Sequence, residues 1–411
     1  MHRGRRNVVL LAIGASLLGF VSAPATAAPA KPAGAFDQGD ALRTIAQAYL
    51  TSHPDLTPQA ARAAAQAQAA GEQLKAAITK QWSSFGGGWF DPYTATYTIA
   101  MTSPDAAKSI SDTGAKLGVK VSTRTVSRSY DQLTAQADAL RTGTSALAKA
   151  ANGNVGIDVQ TNKVVAAVPQ AELSTLARRG DAGVTLVPAK TSAIEADACT
   201  ARDNCDDFLA AGNVMRNGTN TPWCSIGFTA RNAAGQRIVL TAGHCSTGTG
   251  EAWSTGTSTI RSVGVVSGRI DSGNQDVTRI VVTNAFYSGD TTGRAYVSPP
   301  GNTVALKGES FLLVGDTACL SASYTNPGRS GNPCGTVGST ADAAVRGMVR
   351  IDGYDACGGD SGGGWYWLAP SGNRYSVALH SRSQPGCNAT PANSWASPLN
   401  AFYSDLTYET S

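Results

Sequence analysis

The chain has 411 residues, a formal net charge of +4 and 15% charged residues. That length exceeds one ordinary domain, so two folded units behind a targeting segment are expected. So small a charge over so long a chain leaves no footprint for nucleic acid or another polyanionic partner.

In chain order, residues 1–27 read as a signal peptide. His2, Arg3, Arg5 and Arg6 form a positive start, Val8 to Val21 is an apolar run, and Ala25-Thr26-Ala27 supplies small residues for cleavage. The apolar run is broken by Gly14, Ser16 and Gly19 and is short for a membrane span. No later stretch is apolar enough to cross a bilayer, so a secreted, extracellular product without a membrane partner is expected.

Residues 28–195 are rich in alanine and contain no cysteine. Thr57-Pro58 and Ser103-Pro104 each resemble an N-cap followed by proline at the first helical position. Ala60 to Ile78 reads as helical on propensity. Tyr93, Ala95, Tyr97 and Ile99 alternate with threonines as in a strand, and Val119-Lys120-Val121 is a shorter example. Gly156–Val159 and Val164–Val168 flank Gln160–Lys163 as a hairpin would. The segment reads as a small α+β unit without a catalytic constellation.

After Cys199 the character changes to Gly, Ser, Thr and short β-branched runs. Ile238–Leu240, Val263–Val266, Ile280–Val282 and Phe311–Val314 are candidate strands, and many short strands between turns indicate an all-β sandwich or barrel. Helical periodicity returns only around Leu399 to Leu406. All eight cysteines fall between Cys199 and Cys387. An even count in an exported chain reads as four disulfides. Only His244-Cys245 places a histidine beside a cysteine, so neither a metal site nor any other cofactor is expected.

Two motifs carry chemistry. Thr241-Ala242-Gly243-His244-Cys245 comes after an apolar strand, which delivers His244 where a strand ends, with small residues before it leaving room for the ring. Gly358-Gly359-Asp360-Ser361-Gly362-Gly363-Gly364 surrounds Ser361 with glycines, permitting a tight turn that exposes a hydroxyl and aims backbone N–H groups at one point. Trp365-Tyr366-Trp367 comes directly after it, and an aromatic strand there argues against a flexible linker. The stretch also fits the nucleophile elbow G-x-S-x-G, but that site needs an acid and then a histidine after the serine. Between Ser361 and His380 there is no Asp or Glu, so that reading fails. The order His…Asp…Ser remains. Asp276 is the expected acid because it enters the run Val277–Val282, whereas Asp271 and Asp290 sit beside turn residues.

Together these motifs resemble the secreted bacterial serine peptidases of the chymotrypsin fold, of the streptogrisin and α-lytic protease kind. The likeness covers about Cys199 to Ser411, and the protease domain is expected over residues 196–411. It implies an all-β double β-barrel protease domain, each barrel six-stranded, ending in a C-terminal helix. Residues 28–195 then resemble the α+β pro-region of that group, a folding aid and inhibitor that is cut away. The mature product is expected to be a monomeric endopeptidase acting on proteins or peptides. His244, Asp276 and Ser361 would form its triad, and the N–H groups of Gly359 and Ser361 its oxyanion hole. The alternative is a catalytically silent binding module on the same fold, which would be expected to lose a triad member.

The resemblance also implies the pairs Cys224–Cys245, Cys319–Cys334 and Cys357–Cys387, leaving Cys199–Cys205. Two departures stand out. Leu320 occupies a position where relatives often place an arginine that pairs with the buried aspartate, here Asp360; Arg329 or a new N-terminus are the substitute partners considered. Specificity is also divided. Asp355 matches the pocket aspartate of enzymes that cut after Arg or Lys, whereas His380 and Ser383, flanking Ser381, match residues that grip an acidic side chain. A third reading is an apolar pocket that uses neither signature.

Overall fold

The computed structural model describes residues 38–179, 183–189, 195–196, 208–218, 222–256, 260–297, 302–323, 334–384 and 392–410. The expected signal peptide and the Cys199–Cys205 pair lie outside them. Residues 33–411 form one compact unit.

Its N-terminal part contains two three-stranded sheets carrying helices. The first sheet orders Phe85–Asp91, Thr96–Met101 and Lys120–Thr125, the last pair parallel. Helices Pro58–Ala67 and Pro104–Leu117 begin as the caps predicted, with the hydroxyls of Thr57 and Ser103 accepting the amides of Ala60 and Ala106. The single helix expected over Ala60 to Ile78 is two, Pro58–Ala67 and Gly71–Lys80. The expected strand at Tyr93 begins instead at Thr96, because Ala95 turns the chain with φ 52°. The hairpin lies where it was read, as Val155–Asp158 with Lys163–Val168, and Val184–Pro188 adds a third, parallel strand.

The C-terminal part is all β. Thr407–Tyr408, Thr229–Arg231, Arg237–Thr241, Gln275–Val282, Arg261–Ser272, Ala252–Thr255, Val214–Arg216 and Pro222–Ser225 form, in that order, an eight-stranded sheet. Buried Met215, Ile226, Val239, Trp253 and Ile280 fill it. The other main sheet runs Gly364–Leu368, Thr317–Ser321, Cys334–Asp342, Met348–Asp352, Asn393–Pro398 and Arg374–Ser383, and pairing of the last with the first closes a six-stranded barrel. Leu320 lies fully buried in that barrel with Val337, Ile351 and Trp365. Closure satisfies the backbone groups that an open sheet would leave at its edges. Among the described residues the eight-stranded sheet does not close, so only one of the two expected six-stranded barrels is complete. The fold class is the chymotrypsin-like β-barrel architecture behind a small α+β unit.

The expected C-terminal helix is absent from the described residues. Leu399–Ala401 makes one 3₁₀ turn, and the chain then extends as Thr407–Tyr408 beside Thr229–Arg231. Glu409 explains the preference: its carboxylate meets buried Arg237 at 2.8 Å, and its amide bonds Thr229 O at 3.0 Å.

The α+β unit is joined to the barrel by a shared core in which Ile45, Tyr49 and Ile99 cluster with Leu313, Tyr366 and Leu368. Phe311–Val314, expected as a strand of the β domain, instead runs beside the α+β unit: Trp89 bridges Val314 in parallel, and Phe90 N–H donates to Val314 O at 2.7 Å. Lys75 enters the barrel side of this seam, 2.7 Å from an Asp316 carboxylate oxygen and 3.6 Å from the centre of a Trp367 ring.

Candidate active site

Strand Arg237–Thr241 ends in a 3₁₀ turn, Gly243–Cys245, that carries His244. A Cβ at Gly243 would lie 2.2 Å from Ile270 O and 2.9 Å from Asp276 Oδ1, so only glycine lets this turn close on strand Gln275–Val282. Arg269 Nε donates to Gly243 O at 2.7 Å and fixes the turn from the far side. A disulfide joins Cys224 to Cys245.

The closure brings together the three residues that sequence placed in a triad. His244 Nδ1 lies 2.7 Å from Asp276 Oδ2, and Nε2 lies 2.8 Å from Ser361 Oγ. His244 N–H also donates to Asp276 Oδ1 at 2.8 Å. A carboxylate can only accept, so Nδ1 carries the proton and Nε2 turns a lone pair toward the Ser361 hydroxyl. Asp276 is fully buried. Burial alone would push its carboxyl upward, but the His244 ring and amide and the Ser381 hydroxyl outweigh that and hold it at about 2. Its own amide donates to Ser397 Oγ at 2.9 Å.

Around Ser361 the backbone is tightly turned. Gly359 has φ +104°, and Gly362 has φ +82° with a Cβ position only 2.0 Å from Thr241 Oγ1. Side chains rarely adopt that region. The Gly359 carbonyl accepts from Ser225 Oγ at 2.8 Å and Ser323 Oγ at 3.2 Å, and Ser361 O accepts from Ser225 N–H at 2.7 Å. Asp360 is fully buried, and one carboxylate oxygen accepts the Cys357 N–H at 2.8 Å, a local partner that the sequence did not suggest. Arg329 lies outside the described residues.

Strand Arg374–Ser383 runs alongside. Gly362 N–H donates to His380 O and His380 N–H to Gly363 O, both at 2.8 Å, which ties this strand to the serine turn. Ser381, expected in the pocket wall, donates its hydroxyl to Asp276 Oδ2. His380 is fully buried and receives the Trp365 indole N–H on Nδ1 at 3.4 Å. Ser383 is buried, and Asp355 is 4% exposed, so both specificity signatures occupy interior positions.

The pair Cys319–Cys334 is bonded. Cys357 is buried, and its expected partner Cys387 lies outside the described residues. Cys224, His244 and Cys245 bring their ligand atoms within 4.8 Å of one another, but the two sulfurs are bonded to each other and offer no thiolate to a metal. Sequence reading missed Arg269, Ser225, Ser323 and Ser397. Each acts through a hydrogen bond to backbone from a distant segment, and serines or arginines in such positions carry no local signature.

No family model and no curated protein matches the sequence. Among solved structures the chain is similar to the Nocardiopsis protease NAPase, with 23% identity and a TM-score of 0.38 over 49% of this chain and 100% of that one. It is also similar to the MamO protease domain from Magnetospirillum magneticum, with 8% identity and a TM-score of 0.24 over 47% of this chain and 89% of that one.

Proposed function

We propose that this chain is the precursor of a secreted serine endopeptidase, with residues 28–195 as its pro-region and residues 196–411 as the enzyme. The observation that supports it best is the continuous relay from Asp276 through His244 to Ser361, with contacts of 2.7 and 2.8 Å.

In this reading His244 Nε2 takes the Ser361 proton as Oγ attacks a peptide carbonyl, then gives it to the leaving amine. Water enters by the same base and releases the acyl group. Asp276 holds the ring in the tautomer with Nδ1–H and stabilises the imidazolium as it forms. The N–H groups of Gly359 and Ser361 are assigned to the oxyanion, a contribution of about 3 kcal/mol per donor in related sites. The proposed substrates are proteins or peptides. In the precursor, the α+β unit serves as folding aid and inhibitor.

A serine-directed fluorophosphonate tests this reading. It is expected to label the processed enzyme and to leave Ser361→Ala unlabelled. Equal labelling of both would remove Ser361 from the nucleophile role, and no labelling of either would favour a silent binding module.

A further inference from the structure

Behind the serine turn lies a pair of buried hydroxyls that the relay of Asp276, His244 and Ser361 does not use. Ser225 ends strand Pro222–Ser225, directly after the bridged Cys224, and is fully buried. Ser323 follows strand Thr317–Ser321 by two residues and is also buried. Their oxygens are 2.9 Å apart, and the Ser323 amide donates to Ser225 Oγ at 2.8 Å.

Both hydroxyls face one acceptor. Ser225 Oγ lies 2.8 Å and Ser323 Oγ 3.2 Å from Gly359 O. Each hydroxyl has a single proton to donate. Three contacts therefore share two protons, and two hydroxyls cannot both donate to each other along one line. In every arrangement of those protons over the three contacts, at least one reaches the Gly359 carbonyl. Either serine can thus serve that carbonyl when the other is lost.

The carbonyl belongs to the peptide plane that stands, along the chain, between the two N–H groups assigned to the oxyanion. Gly359 N–H precedes the plane and Ser361 N–H follows it. The plane's own N–H, that of Asp360, donates to Cys357 O at 2.9 Å, and Asp360 O accepts from Gly363 N–H at 2.8 Å. Ser361 O accepts from the Ser225 amide at 2.7 Å, so Ser225 holds the turn on both sides of Asp360. Gly359, at φ +104° and without a side chain, offers little steric resistance to rotation of the plane. Hydrogen bonds must therefore keep the plane in place.

We propose that Ser225 and Ser323 are positioning residues of the oxyanion site: together they fix the Gly359 carbonyl and so aim the two N–H groups that flank its plane. The proposal rests on the protease reading above. Neither serine touches the reacting atoms. Their effect is felt where negative charge develops on the acyl oxygen, because donors held in advance need no reorganisation at that moment. Loss of the pair should therefore lower kcat and leave KM nearly unchanged. Because each hydroxyl can stand in for the other, the two losses should be more than multiplicative.

For the test, the full chain carrying Ser225→Ala, Ser323→Ala or both is processed to completion, and active sites are counted by exhaustive fluorophosphonate labelling. Per labelled site, each single change should lower kcat about threefold, with KM within about twofold. The double change should lower kcat at least about a hundredfold, the size of losing one oxyanion donor. A peptide boronic acid, whose tetrahedral adduct places an oxygen at the oxyanion position, should weaken by the same factor as kcat/KM, while a cleaved product peptide binds as before. The acid limb of the kcat/KM profile should stay in place, because His244 keeps its contacts to Asp276. A variant that merely folds less well loses labelled sites and keeps its turnover per site. Ser323→Ala leaves both Ser225 contacts to the turn intact and carries the same comparison if the double variant does not accumulate. Parental turnover per site in the variants, a loss confined to KM, or equal weakening of boronate and product peptide would overturn the proposal. An active parent with unaltered variants refutes the serine pair alone, whereas a parent that neither labels nor cuts peptides refutes the protease reading itself.

Discussion

Replacing Lys75 tests what holds the α+β unit to the barrel. Its ammonium meets Asp316 at 2.7 Å, and the two side chains are 5% and 1% exposed. At an effective dielectric near 20, that separation corresponds to about 6 kcal/mol of attraction. Desolvation costs several kcal/mol for each ion. The Lys75 ammonium is nevertheless pushed below its ordinary range, burial acting more strongly than the pull of Asp316. The pair as a whole therefore adds little stability, while either charge left alone is expensive. In a Ser361→Ala background that keeps the chain whole, Lys75→Met strands the buried Asp316 carboxylate and should cost about 3 kcal/mol. At roughly 2–4 °C per kcal/mol, the melting temperature should fall by about 6–12 °C. Adding Asp316→Asn should recover most of that loss, because both charges are then gone. Differential scanning calorimetry on the four chains reads this as a double-mutant cycle. A silent Lys75→Met, or a double variant that loses the sum of the two singles, would refute the reasoning.

Three further outcomes are expected at the site. Asp276 is depressed from 3.8 to about 2, so its contribution is present above the unfolded carboxyl value and is lost as pH falls through about 2. That contribution is about 2 kcal/mol, and Asp276→Asn should flatten the stability profile between pH 4 and pH 2 by this amount, measured by urea unfolding. An unchanged slope would show that Asp276 is not held as described. Ser381→Ala removes a hydroxyl donor from the Asp276 carboxylate. It should raise the carboxyl's titration and lower kcat/KM by roughly ten- to a hundredfold, the range for hydrogen bonds to charged groups; unaltered kinetics would count against a positioning role. Gly362→Ala must place a Cβ 2.0 Å from Thr241 Oγ1 at φ +82°. A loss of about 3 kcal/mol or more in chemical denaturation is expected, and a near-neutral result would mean that the serine turn yields more easily than its contacts suggest.

The parts of this molecule that were legible in sequence are those whose cause is local. His244 comes within a few residues of an apolar strand, and Ser361 stands inside its own glycine turn. Asp276 could be chosen because the run after it reads as a buried strand, Gln275–Val282. The helix caps at Thr57 and Ser103 are equally local. The features that escaped depend on distant partners. Phe85–Asp91 contains three consecutive glycines and is assigned no element from sequence; it is a strand because Thr96–Met101 and Val314 supply its hydrogen bonds. Leu399 to Leu406 has helical spacing, but capture of Glu409 by Arg237 draws the next residues into a sheet. The hydroxyl that steadies Asp276 comes from Ser381, 105 residues further along the chain, which the sequence placed in the substrate pocket and not beside the acid.

In the proposed processing, the run from Phe311 to Asp316 would keep its influence after the α+β unit is removed. While the α+β unit is in place, Val314 O is taken by Phe90, Gly315 O by the Tyr49 hydroxyl at 2.6 Å, and the Phe311 carbonyl by Lys75 at 2.6 Å. An enzyme that sheds residues 38–189 bares these acceptors together with the Asp316 carboxylate and the rings of Phe311 and Trp367. Water can satisfy the oxygens but not the rings. An enzyme freed in this way would carry a backbone edge bordered by aromatic surface, the kind of seam along which a second extended chain can pair. Shedding the unit would trade one bound segment for a standing invitation to another, so solubility after processing becomes a property of this short run rather than of the catalytic cleft.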